Sequence, residues 1–303
     1  MATLSPARRA TVVTTCASLA LVAVKAVAGL LSGSVAVFAS ALDSLLDSIV
    51  SLFNAFAVRG AEKPRDADHN YGHGKIEGVA ALFEGLLILG SAGFVLWRAA
   101  GKFMHPEPIA TGGLDLAMGA MAFSMLSAFG IVAYLRRETR RTRSLVLEAD
   151  ALHYRTDVWS NAAVLAGMLV IRVTGWQAAD ALVAGGIGLY IAWAALPLLR
   201  KALDMLLDHA LPPDISKEIL KIARTHSELV NGVHELRTRR SGEVNFVDLH
   251  LVFSEHITLG RAHRVADEIE IRIRALEKSK WSVSIHLDPV DDSRRDRKLA
   301  EEG

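Results

Sequence analysis

Six stretches of this chain are apolar for long enough to cross a lipid bilayer, and all six fall in its first two thirds. That pattern restricts the fold more than any other feature. The stretches are placed at 10–31, 35–58, 78–100, 113–135, 145–174 and 178–200. The 303 residues are 51% hydrophobic and 22% charged, and the positive mean hydropathy of +0.28 reflects this crowding. From Leu211 onward charge dominates instead. The expectation is an α-helical membrane protein. It has six transmembrane helices within 1–208, a small α+β domain at 209–290 and a charged, disordered tail at 291–303.

Lysines and arginines sort by connection, as the positive-inside rule requires of a multi-pass chain. Arg8 and Arg9 precede the first stretch, and Arg59, Lys63, Arg65 and Lys75 lie between the second and third. Arg136, Arg137, Arg140, Arg141 and Arg143 lie between the fourth and fifth, and Arg200 and Lys201 follow the sixth. The alternate connections carry only Lys102 and the nearby Arg172. Both termini are therefore expected in the cytoplasm. The short basic N-terminus has no small-residue cleavage site, so the first stretch reads as a retained helix. No basic stripe is interleaved with aromatics, which argues against nucleic acid as a partner. Cys16 is the only cysteine, which excludes an internal disulfide framework and a paired-thiolate metal site. A bound metal must then use carboxylates and imidazoles, donors that suit Zn²⁺, Fe²⁺ or Mn²⁺ rather than Cu(I).

The prolines at 212 and 213 break the chain after the sixth stretch. A helical pattern at 215–227 follows, then strands at 233–240 and 243–253 joined through the turn at Ser241 and Gly242. Thr258 is the expected N-cap of a helix whose apolar face is Ala262, Val265, Ala266, Ile269, Ile273 and Leu276, and a third strand is expected at 281–287. This αββαβ unit is small enough that dimerisation or bound metal would help it fold.

Ionisable residues in a membrane span are costly and persist only with a role or a partner. The second stretch holds Asp43 and Asp47 four apart, one above the other on a helix face, within a polar stripe of Ser40, Ser44, Ser51 and Asn54. The fifth holds His153 and Asp157, again four apart, continued by Asn161. A cation such as Lys25 could balance one carboxylate but not three and an imidazole. A shared metal site is the expected reading, since three carboxylates and one imidazole form a four-coordinate shell that fits Zn²⁺. The connection at 65–75 adds Asp66, His69 and His73 at three- and four-residue spacing, between glycines that let the chain bend around an ion; an ordinary polar loop explains the spacing equally well. In the last third, His234, His250 and His286 come from three expected strands and His263 from the helix, with Asp288 nearby; metal is favoured over scattered surface histidines. His226 and His256 read as solvent-facing loop residues, and His105 receives no role. Glu77 is expected at the membrane surface, Glu84 deeper beside Lys25 or Arg98, and Asp180 as a helix cap.

The order of these motifs resembles the cation diffusion facilitators, and within them the bacterial zinc/ferrous-iron efflux pump branch. The resemblance rests on Asp43 and Asp47, His153 and Asp157, the run Tyr71-Gly72-His73-Gly74-Lys75 and the histidine-bearing tail, and covers roughly 9–288. It implies a homodimeric metal/proton antiporter in the inner membrane. It assigns Asp43, Asp47, His153 and Asp157 to the transport site, and Asp66, His69 and His73 to a loop site. His234, His250, His263, His286 and Asp288 fall to a binuclear tail site. It also implies that Lys75 pairs with an acid near Asp208. The long histidine-rich loop of some vesicular zinc members is replaced here by the arginine cluster after the fourth stretch.

The expected activity is export of Zn²⁺, or of Fe²⁺ or Cd²⁺, by alternating access. Metal displaces protons from its ligands, so a proton gradient can drive the exchange. His153 is the expected proton carrier, because an unperturbed imidazole titrates near about 6.5, and zinc in the tail is expected to be regulatory. An intramembrane metalloenzyme lacks its usual His-Glu-x-x-His helix here. A passive channel would favour rings of carbonyls or carboxylates over a tight four-ligand shell.

Overall fold

The computed structural model describes residues 4–32, 35–104, 114–174, 176 and 178–290, so the tail at 291–303 and His105 lie outside the described residues, as do the side chains of Asp43 and Asp180. Six long helices come first: α1 (Pro6–Ser32), α2 (Val35–Ala61), α3 (Ile76–Met104), α4 (Leu114–Thr142), α5 (Leu145–Thr174) and α6 (Ala178–Leu206). Each covers its expected apolar stretch, and several run on past it. An apolar stretch ends where the bilayer would end, whereas helical hydrogen bonding continues into water; α4 accordingly carries Arg136, Arg137, Arg140 and Arg141 in its last turns.

By length and composition alone, three of these helices qualify as membrane spans among the described residues: Pro6–Ala28, Ile76–Met104 and Ala181–Leu206. This narrows the expectation of six. Of the other three, α2 carries Asp43 and Asp47, α5 carries Asp150 and Asp157, and α4 carries the arginines. The outer surfaces of the six are nonetheless strongly apolar, with Leu31, Phe94, Trp97, Leu126, Phe129, Leu189 and Trp193 all exposed. Water would not tolerate that much contiguous apolar surface, and lipid does.

The chain divides into two compact units, the first reaching to Leu203 and the second starting at Asp204. In the first, α1 packs along α2 and α4 along α5. Its core gathers where the chain enters α1, α3 and α5 and leaves α2 and α4, through Ala10, Val58, Ala80, Leu135, Leu147 and Tyr154. Small residues dominate that core, as in membrane bundles whose helices approach closely. Glu77, at the start of α3, belongs to this end and is buried. Its carboxylate accepts from Ser144 Oγ and the backbone N–H of Leu145, both at 3.0 Å, and so caps the start of α5.

The second unit holds α7 (Pro213–Thr225), β1 (Gly232–Ser241), β2 (Val244–Val252), α8 (Leu259–Arg274) and β3 (Lys280–Asp288), the expected αββαβ order. β2 is the central strand, antiparallel to β1 and parallel to β3, with α8 as the crossover. Ile219 of α7, Leu249 and Leu251 of β2, and Ile269 and Ile273 of α8 close the core. Thr258 sits at the N-cap of α8, yet its side chain makes no capping bond; its carbonyl receives the first helical N–H groups. Asp208 pairs with Arg239 at 3.2 Å within this unit.

Candidate metal centres

Among the described residues, three clusters bring ligand atoms from three side chains within 4.8 Å of one another. In the membrane unit the cluster is Asp47, His153 and Asp157. Helical spacing stacks His153 and Asp157 on one face of α5, and Asp47 faces them from α2. His153 Nε2 lies 3.2 Å from Asp47 Oδ1 and 3.9 Å from Asp157 Oδ2. The three side chains are only 20–31% exposed. Asp43, one turn before Asp47 on α2, has its side chain outside the description. Lys25 donates to Ser44 Oγ at 2.7 Å.

Two residues next to this cluster, Asp150 and Tyr154, went unread in the sequence. Asp150 is fully buried, and Asn54 donates to Glu84 at 3.1 Å, giving Glu84 an amide partner in place of Lys25 or Arg98. Ser51 and Tyr154 share a buried hydrogen bond of 2.9 Å between α2 and α5. A signal for Asp150 did exist: positions 150, 153 and 157 follow the i, i+3, i+7 rhythm of one helix face.

The second cluster is Asp66, His69 and His73, in the connection between α2 and α3. Asp66 Oδ1 accepts the backbone N–H of His69 at 2.8 Å and lies 3.3 Å from the His69 ring, while Oδ2 lies 3.4 Å from His73 Nε2. Gly72 takes a positive φ of 84°, the bend that brings His73 back over Asp66. The His69 amide and then the two imidazoles hold the Asp66 carboxyl below the usual carboxylate range, so it stays ionised and ready to ligate.

In the third cluster the sheet does the positioning. Strand register sets His234 of β1, His250 of β2 and His286 of β3 abreast, with ring centroids 4.9 and 4.7 Å apart. Asp288, two residues past His286, projects from the same face. Its Oδ2 sits 3.2 Å from His234 Nε2 and 2.9 Å from His250 Nδ1, and its Oδ1 sits 3.1 Å from His286 Nε2. His234, His250 and Asp288 meet the clustering distance. A bulge in β1 directly after His234 leaves Glu235 at φ 51°, a conformation that costs a non-glycine residue of order 1–3 kcal/mol. Bulges of this kind re-aim side chains beside functional sites.

His263 stands apart from that ladder in the single chain. It follows the buried Ala262 on α8, is largely exposed and faces Asp267 at 3.7 Å, one turn on. His226 departs from its expected exposure: its ring is nearly buried and lies 2.7 Å from Glu268 of α8.

Comparison with known proteins follows the same division. Residues 11–207 match the cation efflux transmembrane domain, and residues 211–290 match the cation efflux protein cytoplasmic domain. The cation-efflux pump FieF of Klebsiella pneumoniae is 38% identical over 282 residues, covering 93% of this chain and 92% of its own. The pumps of the same name from Salmonella arizonae and Salmonella newport show the same identity and coverage. Among solved structures, the MamB magnetosome protein C-terminal domain of Desulfamplus magnetovallimortis aligns over 24% of this chain and 90% of its own. Its identity is 20% and its TM-score 0.23.

Proposed function

The chain belongs to the cation efflux family, and we propose that within it the cargo is a divalent transition metal, Zn²⁺ foremost, exchanged for protons by alternating access. It is a membrane-embedded divalent-cation efflux transporter and not a classical enzyme. The observation that carries the choice of cargo is the Asp47–His153–Asp157 cluster, with two carboxylates and an imidazole converging between two membrane helices. Asp43, one turn away on α2, is proposed as the fourth ligand. One nitrogen among oxygens suits Zn²⁺ and also accepts Fe²⁺ or Cd²⁺. The carboxylates neutralise the dication, which offsets the cost of holding charge inside the membrane.

In this reading α1–α6 all cross the inner membrane, both termini are cytoplasmic, and α2, α4 and α5 keep their polar faces inside the bundle. The 66–73 loop captures metal on the cytoplasmic side. The tail pairs two copies of the chain, a role supported by its match to the family's cytoplasmic domain. Asp288 would bridge two ions. One oxygen serves His234 and His250, and the other serves His286. His263 would join only on loading or on pairing of the two copies.

The test is zinc flux in proteoliposomes under an imposed pH gradient, with lumenal pH followed at the same time. Proton-coupled zinc movement that is lost in Asp157→Ala, with the variant still folded and inserted, supports the reading. Flux indifferent to the gradient refutes the antiport, and near-normal flux in the variant refutes the site.

A further inference from the structure

Beside α5, the membrane unit contains a cavity lined by none of the clustered metal-ligand candidates. It measures about 600 Å³ and opens between the end of α4, the first turns of α5 and the middle of α6. Arg136 and Arg140 enter it from α4 and Arg155 from α5, against a wall that includes Tyr190, Trp193 and Leu198. Arg136 and Arg140 are one helical turn apart, so their like charges stack and repel. The acids within reach are already engaged. Glu138 accepts from Arg141 at 3.1 Å, and Glu148, on the rim of the cavity, holds Lys201 at 2.6 Å. Among the described residues no carboxylate pairs with Arg136, Arg140 or Arg155. Arg155 is only part-exposed on a helix of the membrane unit. A part-buried guanidinium with no carboxylate partner is suited to bind an anion.

We propose that this cavity binds the phosphate headgroup of an anionic phospholipid, with an acyl chain lying along the exposed Trp193. Guanidinium groups bind phosphate through paired N–H donors, which suits three arginines converging from two helices. Tyrosine and tryptophan favour the headgroup depth of a bilayer, and basic pockets between membrane helices are where anionic headgroups dock. Glu148 opposes an anion only weakly, since Lys201 covers its carboxylate and adds a further cation at the rim. The apolar wall separates a lipid from free phosphate, because inorganic phosphate would leave the exposed Trp193 uncovered. The inference needs only that the helices are in a membrane. It does not depend on the identity of the transported ion.

The test uses the full-length protein, delipidated in detergent, with native mass spectrometry and thermal unfolding as readouts. The probes are phosphatidylglycerol, phosphatidylcholine with the same acyl chains, and inorganic phosphate. Phosphatidylglycerol is expected to bind and to raise the melting temperature where the other two do not. Arg155→Gln is expected to weaken that binding by about tenfold or more, the scale of a lost charge-assisted contact. Arg155→Lys, which keeps the charge without the fork, falls between. Arg137→Gln removes the same charge from α4 outside the cavity and is expected to bind like wild type, which also controls for folding. Equal binding of the two lipids, a full effect from inorganic phosphate, or equal losses in Arg137→Gln and Arg155→Gln would each overturn the proposal.

Discussion

If the histidine ladder of the tail holds zinc, removing its central rung should abolish zinc-dependent stability without unfolding the domain. A ligand that binds only the native state adds RT ln(1 + [L]/Kd), so free zinc at 100 times Kd adds about 2.7 kcal/mol. A domain of this size shifts by about 4–8 °C per kcal/mol, so wild-type 211–290 should melt roughly 10–20 °C higher with zinc than after chelation. His250 lies 2.9 Å from Asp288 and stacks between His234 and His286. His250→Ala leaves two of the three clustered donors. A hundredfold loss of affinity at the same zinc concentration reduces the stabilisation to about 0.4 kcal/mol, or about 2–3 °C.

The assay is calorimetry on the isolated tail, first chelated and then titrated with zinc, at one fixed protein concentration because a pairing domain melts in a concentration-dependent way. The decisive quantity is the zinc-induced rise, since His250→Ala also strips Asp288 of a neighbour and lowers the metal-free melting point by itself. Ile269→Ala supplies the contrast. Ile269 is fully buried in the tail core, so its truncation costs about 2–5 kcal/mol while leaving the zinc-induced rise intact. Equal rises in wild type and His250→Ala, or no rise in either, would refute the assignment.

His153→Asp should lower the Zn²⁺/Mn²⁺ flux ratio in proteoliposomes, because an all-oxygen shell favours the harder ion; an unchanged ratio would remove His153 from the ligand set. Glu77→Ala should lower the thermal stability of the nanodisc-embedded protein, because two buried donors at the start of α5 lose their acceptor at about 1–3 kcal/mol each. Asp66 titrates below its unfolded value, so its ordering of the 66–73 loop is present above about pH 4 and lost as pH falls through the lower folded value. Exchange protection of the His69 amide should therefore hold constant from pH 7 to 5 and disappear only at stronger acidity.

Much of this architecture was legible because the two units obey simple periodicities. Unbroken apolar stretches marked the six long helices, and alternation between prolines and a Ser-Gly turn marked the strands. Metal-ligand spacing marked Asp47, His153, Asp157, Asp66 and His73 because helical and loop geometry act over a few residues. What escaped depends on contacts between distant segments. The capping role of Glu77 shows only once α5 begins against it, and His226 reads as a loop residue until Glu268 arrives from α8. The bulge at Glu235 is invisible too, since a register slip is decided by which β1 residues meet β2 and not by β1 alone. His263 could have been separated from the ladder by periodicity, because it follows Ala262 and so leaves the core-facing stripe of α8.

The three clusters differ in how rigidly their ligands are joined, and the difference matches what each is proposed to do. In the tail, the ligands hang on adjacent strands in fixed register, a frame that can hold an ion for long periods. In the loop, Asp66 and the histidines belong to one short segment and move together. The cluster proposed for transport alone draws its ligands from two helix pairs, which share a core at one end. Asp47 rides on α2, which packs mainly on α1, while His153 and Asp157 ride on α5, which packs mainly on α4; α2 and α5 touch each other far less. Metal–ligand distances tolerate only about 0.2 Å of variation, so a small shear between the α1–α2 pair and the α4–α5 pair opens the shell without disturbing either pair. A cargo site has to let go, and ligands divided between two such pairs allow release with no ligand breaking its own packing.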